Sequence, residues 1–314
     1  MRTSTARRLL ATTALLPVLA LAACGSDPKI ASAAGAGGPA ATATEDLVSG
    51  LAKSEAAAAL LPEEVRRAGT LKFGSAFGAP PSAFHADQAG RKPAGIDVDF
   101  ADAVAKLLGL TVQREEAAFE TILPSLDSGK YDVGTGNFGV TTARLKTIDF
   151  VTYIDDGQGF AVKRDDTATQ PVTDLLQLCG LTVGTGAGTT FETTLNSRKN
   201  VCADAGKKPY EVKAFSESGA LLTSLQQGRV DVEMSTINGL RYQSAQEASG
   251  TRFLGEFHRL DVGFALKKGS KLAPALQAAV NQLIKDGTYQ RILRKWGVAD
   301  SAIKESQISP PEHG

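Results

Sequence analysis

The chain has 314 residues, and Lys plus Arg equals Asp plus Glu at 34 each. That balance gives no bias towards polyanions, and no basic cluster with interleaved aromatics occurs, so nucleic acid is excluded as a partner. With 3 cysteines and 3 scattered histidines, a closed zinc shell cannot be filled, and neither a metal nor a cofactor is expected.

Arg2, Arg7 and Arg8 precede an apolar run from Leu9 to Leu21. The run is too short and too well flanked for a spanning helix and reads as a signal peptide over residues 1–23. It ends in Leu21-Ala22-Ala23-Cys24, which resembles a bacterial lipobox with Cys24 as the lipidated first residue of the mature chain. The plain alternative is an ordinary signal peptide with an incidental cysteine. A lipidated chain would sit outside the cytoplasmic membrane, anchored to it by lipid. Residues 24–45 are rich in Ala, Gly, Ser and Thr and cannot bury enough surface to offset their ordering entropy, so they read as a flexible tether. Residues 46–69 carry helix formers around Pro62 and are expected to form a short helical extension.

Beyond residue 70 the length suits two lobes rather than one core. "LKFGSAFG" (71–78) reads as a strand entering a glycine-rich turn. "IDVDFADAVAKLLG" (96–109) reads as a helix with Ile96, Phe100, Val104, Leu107 and Leu108 on one stripe and Gly109 as its stop. Asp97 and Asp99 fall in its first turn, where acids complement the helix dipole. "LTVQREEA" is a strand, "ILPSLDSGK" a short helix and "YDVGTGNF" a strand. A break is expected at "YIDDGQG" (153–159). The pattern then restarts: "FAVKR" strand, "VTDLLQLCG" helix, "LTVGTG" strand, "TTFETTLNS" helix, "YEVKAF" strand, "SGALLTSLQQG" helix, "VDVEMST" strand. "DVGFALKKG" gives a last strand, followed by helices over 272–287 and 288–297. Such alternation predicts two α/β lobes with mostly parallel sheets, and ligand crevices at the carboxyl ends of their strands.

With Cys24 assigned to lipid, Cys179 and Cys202 remain, and in an exported chain they are most simply a disulfide. A weak metal site is the alternative. His85 and His258 read as plain surface residues. "GTGNFGVTTARLKTIDF" (134–150) joins glycines that admit a ligand close to the backbone with Arg144, whose guanidinium fork fits a carboxylate. "GAGTTFE" sets Thr189 and Thr190 between a strand and a helix, where free N–H groups attract anions; a threonine N-cap is equally consistent. No Gly-Lys-Ser/Thr follows, so this is no phosphate loop. Asp132 and Asp231 read as structural residues at strand entries. No Ser/His/Asp or metal spacing supports an exported nuclease or protease.

From about Leu71 to Trp296 the chain resembles the family 3 extracellular solute-binding proteins, the polar amino acid receptors of ABC importers. The resemblance rests on "GIDVDFADAVAKLLG", "FETILPSLDSGKYDV", "VTTARLKTIDF", "GTGAGTT", "SLQQGRVDV" and "LIKDGTYQRILRKWG", in that order. It implies a type II periplasmic-binding-protein fold, with lobe 1 over 70–156 plus 261–305, lobe 2 over 157–260, and hinges near Asp155–Gly157 and Leu260–Asp261. It also implies a non-enzymatic, extracytoplasmic receptor that closes on a small carboxylate-bearing solute and docks on a membrane permease, working as a monomer. In that family the arginine of T-x-x-R grips the ligand carboxylate; here it is Arg144, with Asn137 and Gly139 supplying nearby contacts. Thr189 and Thr190 supply the second lobe's half of the grip, and Phe119 packs on the ligand.

Two positions depart from the family. Ala79 stands where an aromatic stacks on the ligand, with Phe77 and Phe84 nearby as substitutes. Thr236 stands where an aspartate binds the ligand ammonium. That implies a ligand whose other end meets neutral groups, unless Glu233, Glu192 or a hinge acid replaces the aspartate. An exported dehydratase on the same fold and a ligand-presenting sensor lipoprotein are the alternatives.

Overall fold

Strand alternates with helix through the chain twice, and the second pass ends by returning to the first. The structure, a computed structural model, describes residues 45–313 apart from positions 88, 90 and 91. The signal peptide, Cys24 and all but the last residue of the tether lie outside the described residues. Helices α1 (Glu55–Ala58) and α2 (Glu63–Ala68) lead into β1 (Thr70–Ser75). A small ribbon of β2 (Phe84–His85) and β3 (Pro93–Ala94) precedes α3 (Ile96–Leu108), β4 (Thr111–Glu116), α4 (Phe119–Asp127) and β5 (Val133–Thr135). A 3-10 turn at Arg144–Lys146 then feeds the long strand β6 (Ile148–Lys163). The second half holds β7 (Thr182–Gly186), α5 (Thr190–Ser197), α6 (Val201–Asp204), β8 (Glu211–Phe215), α7 (Ser218–Gln226), β9 (Val232–Thr236) and α8 (Ile237–Ala245). The chain returns along β10 (Thr251–Lys267) and ends with α9 (Ala273–Asp286) and α10 (Thr288–Lys295).

The strands order as β4-β1-β5-β10-β6-β9-β7-β8. Pairing is parallel within each half, β4-β1-β5 and β9-β7-β8, and antiparallel where β10 and β6 join the halves. This is the two-lobed type II arrangement in the α/β class. Each half encloses its own apolar cluster. Ile96, Phe100, Val104, Leu107 and Leu108 of α3 are all buried in the first, together with Leu47, Ala57, Ala58 and Leu61 from the N-terminal extension. Each of the larger apolar side chains, the alanines apart, contributes about 1.5–3 kcal/mol when fully buried. The second cluster gathers Phe160, Val183, Leu195 and Met234. Cys179 and Cys202 form a disulfide beside it. Among the described residues no helix is long and apolar enough to cross a membrane.

Several elements differ from the sequence reading. The expected break at 153–159 is instead the unbroken middle of β6. Gly157 lies opposite Arg259 of β10, and a Cβ there would fall 2.1 Å from the His258 carbonyl oxygen. The glycine therefore marks a close approach of two strands, not a turn. Residues 172–180 form only a 3-10 turn at Leu175–Leu178. Asp174 and Gln177 cap each other's backbone across it, and Gly180 follows at φ 85°. Finally, β10 starts at Thr251, well before Asp261, and its first part carries charged side chains, of which Glu256 is exposed. Glu256 and Arg259 pair there with Arg241 and Asp155, which masks the apolar alternation of a strand.

Candidate functional site

Between the halves lies a cavity of about 720 Å³. Of the residues singled out in the sequence, it is lined by Phe77, Phe119, Asn137, Arg144, Thr189, Thr190 and Thr236. Gly139 does not line it. Its carbonyl instead accepts a hydrogen bond from Arg144 Nη1 at 3.1 Å and so holds the guanidinium.

Arg144 follows directly from a hydroxyl-capped turn, in which Thr141 Oγ1 accepts its backbone N–H at 3.2 Å. Its guanidinium carbon sits 5.7 and 5.6 Å from the ring centroids of Phe119 and Phe138, which are themselves stacked at 4.6 Å. From there Nη2 donates across the cavity to the Gly188 carbonyl at 3.4 Å. Among the described residues no carboxylate pairs with Arg144. Burial lowers its pKa to about 10, so it remains charged at neutral pH. A partly desolvated cation without an anion is costly. A carboxylate from outside would relieve that cost with two parallel, charge-assisted hydrogen bonds.

The opposite wall offers the N-terminus of α5. Thr189 is its N-cap: Oγ1 accepts the Glu192 N–H at 3.2 Å and donates to the Gly186 carbonyl at 2.6 Å. Thr190 opens the helix. Glu192 does not line the cavity; its carboxylate accepts the Gly188 N–H at 2.8 Å. The two halves already touch here, since Ser216 Oγ donates to Glu120 Oε1 at 3.3 Å.

Asn137 takes a left-handed φ of 55°. Its N–H donates to Asp97 Oδ2 at 3.0 Å and its Nδ2 to Asp156 Oδ2 at 2.8 Å. Asp97 therefore does more than complement a helix dipole; it also accepts the Tyr153 hydroxyl at 2.6 Å. Asp156, in the middle of β6, accepts the Asn238 N–H at 3.1 Å from α8. It thus ties the Asn137 turn of the first half to a helix of the second. Burial is the main cause that raises both acids to about 6, against the lowering effect of these hydrogen bonds. Asp132 and Asp231 sit at strand entries and accept the N–H groups of Lys72 and Thr182 at 2.9 and 2.7 Å.

Ala79 lines the cavity without a ring. Phe77 lines it too, stacked at 4.9 Å on His85. His85 is no plain surface residue, because it is half-buried and its Nε2 contacts the Glu116 carboxylate. Phe84 is turned away onto Trp296 and Tyr242, at 5.7 and 6.3 Å.

At the far end, Thr236 is the N-cap of α8, accepting the Gly239 N–H at 2.9 Å. This helix was absent from the sequence reading. Its first turn lacks an acid and contains a glycine, so only the capping threonine signals it. Glu233, three residues earlier on β9, also lines the cavity. The carboxyl-terminal segment was missed as well: Ser309 N donates to the Phe150 carbonyl, and Glu312 Oε2 accepts the Thr142 N–H at 2.7 Å beside the Arg144 turn.

Comparison with known proteins places this geometry in context. The sequence model of the bacterial extracellular solute-binding proteins, family 3, matches residues 71–299. The L-cystine-binding protein TcyJ of Escherichia coli strain K12 is 31% identical over 257 residues, covering 81% of this chain and 92% of that protein. The arginine-binding protein ArgT of Corynebacterium glutamicum is 30% identical over 255 residues, covering 80% and 82%. The ABC transporter glutamine-binding protein GlnH of Bacillus subtilis is 29% identical over 214 residues, covering 66% and 74%. Among solved structures, an ancestral arginine-binding protein bound to arginine superposes with a TM-score of 0.65 at 34% identity, covering 73% of this chain and 98% of that one. The ancestral amino acid-binding protein AncCDT-1, a precursor of cyclohexadienyl dehydratase, gives 0.66 at 27% identity, covering 74% and 98%.

Proposed function

We propose, from the premise that the chain belongs to the bacterial extracellular solute-binding proteins of family 3, that its cavity captures an amino acid or a close derivative by the carboxylate and hands it to an ABC transporter. The observation that carries this reading is Arg144: a half-buried guanidinium, set by the Gly139 carbonyl and two rings, that lines the cavity with no acid among the described residues as partner. The ligand carboxylate takes the guanidinium fork and the free N–H groups opening α5 at Thr189 and Thr190. Because Arg144 and α5 belong to different halves, a ligand touching both favours the closed arrangement over the open one.

The β6–β10 ribbon is the hinge, at Asp155–Gly157 and Leu260–Asp261. Residues 70–156 plus 261–305 form one lobe and 157–260 the other. Phe119 and Phe77 pack on the ligand's carbon chain, and Asn137 holds the first lobe's turn against Asp156. A lipid on Cys24 keeps the receptor near its permease at high effective concentration. A thermal-shift panel of amino acids and their hydroxy-acid analogues on the mature chain, with mass spectrometry of recovered ligand, tests the reading. Stabilisation by carboxylates only, with ligand returned unchanged, is the expected result.

A second reading, elimination chemistry of the dehydratase kind, has one observation in its favour. Glu233 faces the cavity with its carboxyl raised to about 7 by burial, which suits a general acid. The same mass balance separates the two, since an enzyme returns a changed molecule.

A further inference from the structure

We propose that Glu233, with Gln243, forms a second subsite that accepts a cationic group at the far end of the ligand and so selects amino acids with a positively charged side chain. The inference rests on the carboxylate reading of Arg144. Glu233 is only 5% exposed, yet it lines the cavity. Its carboxylate accepts one hydrogen bond, from Gln243 Nε2 at 2.8 Å. Among the described residues no basic side chain pairs with it. In the sheet it is flanked in register by Gly184 and Ala161, so neither neighbour brings a long side chain to the carboxylate. A buried acid left so is costly in its charged form, so it holds a proton unless a cation arrives from outside.

Its position argues for a distal cation. Glu233 precedes Thr236 by three residues on β9, roughly 10 Å at the rise of a strand. A short amino acid with its amine near Thr236 leaves Glu233 unmatched. A long side chain ending in ammonium or guanidinium reaches further into the second half. The cavity's other acids are poorer partners. Glu116 is 51% exposed and already paired with His85, and Glu217 is exposed to water.

The groups around Glu233 are neutral. Leu221 and Leu222 line the cavity from α7, and Gln243 and Gln246 from the α8 side. Arg164 reaches the end of α8, where it donates to the carbonyls of Ser244 and Gln246. Burial raises the Glu233 carboxyl to about 7 and the Gln243 hydrogen bond acts against it, with no charged side chain contributing. A bound cation pulls that proton off. Affinity for a cationic ligand therefore falls towards tenfold per pH unit below about 7, and affinity for a neutral one does not.

Calorimetric titration at pH 8 of arginine against citrulline, and of lysine against norleucine, tests the subsite on the wild-type mature chain and on Glu233→Gln. The wild type is expected to prefer the cationic member by about 100-fold or more. Glu233→Gln should bring each pair within a few-fold and leave citrulline affinity in place. Equal affinity of the wild type for arginine and citrulline would overturn the proposal. An equal loss for both in Glu233→Gln would also overturn it, since Glu233 would then hold the α-ammonium. If no amino acid binds the wild type, the carboxylate reading fails first and the subsite with it.

Discussion

Arg144, half-buried, and Glu233, buried, both line the cavity and both lack a partner of opposite charge among the described residues, yet the molecule holds them differently. Two carbonyls and two stacked rings fix the guanidinium, and burial leaves its pKa at about 10. One amide holds the carboxylate, and burial leaves its pKa at about 7. The first group is charged at every physiological pH and rigidly aimed. The second stands near half ionisation and gains its charge fully only when a cation binds. The comparison assigns the common feature of the ligand, its carboxylate, to the rigid end, and the variable feature to the tunable end.

Removing the rigid end should have the largest effect. Arg144→Ala is expected to cost about 2–5 kcal/mol of ligand affinity in calorimetry. The ligand-free fold should keep its stability, because no acid is left orphaned by the change. A tenth of that loss, or unfolding, would break the contrast between the two ends.

A control in the second half alone comes next. Replacing Cys179 and Cys202 by alanine opens a loop of sequence separation 23 and should cost about 3 kcal/mol in denaturant unfolding. The preference between ligands should not change, since neither cysteine lines the cavity.

Glu233→Gln in the ligand-free protein sharpens the comparison through pH. The folded value, about 7, lies above the ordinary glutamate value of 4.5, so the folded state holds the proton more tightly than the unfolded one. Stability contributed by this group therefore falls as pH rises from 4.5 to 7, and the deficit is complete above 7. The glutamine variant should gain up to about 3 kcal/mol at pH 8 and nothing near pH 4. Asp97 and Asp156, raised to about 6, act in the same sense in both proteins and cancel in the difference. A gain that does not vary with pH would show that Glu233 is not strained by burial.

The smallest effect belongs to Thr236. Thr236→Ala removes the cap of α8 and should cost about 1 kcal/mol in thermal unfolding. Thr236→Asp keeps the cap and adds an acid to the cavity. It should therefore relax the preference for cationic side chains in the same titrations, by giving short amino acids a partner for their amine.

Much of this was legible in the sequence. The stripe on α3 announces a buried helix because five large apolar residues recur at helical spacing, and all five are buried. Arg144, Thr189 and Thr190 were singled out from local motifs and Phe119 from the family resemblance, and the fold brings them to one cavity. Other features were not legible, for physical reasons. Gly157 looks like a turn, because a glycine required by a neighbouring strand carries the same letter as one required by a bend. The early part of β10 hides its alternation under charges that pair with Arg241 and Asp155. α8 lacks the composition of a helix and depends on the threonine cap and on packing of Ile237 and Leu240. Glu233 was named only as one of several replacement acids. Its exposure to the cavity depends on neighbours, Gly184 and Ala161, that are remote in the chain.

The central claim is that Arg144 holds the ligand by its carboxylate. The most direct measurement is a calorimetric comparison on the wild-type mature chain of the tightest-binding amino acid and the amine left by its decarboxylation. The two share a side chain and an amino group and differ only in the group assigned to Arg144. The account predicts that the amine binds at least about 30-fold more weakly, corresponding to a loss of 2 kcal/mol or more. An amine that binds as tightly as its parent amino acid would contradict it.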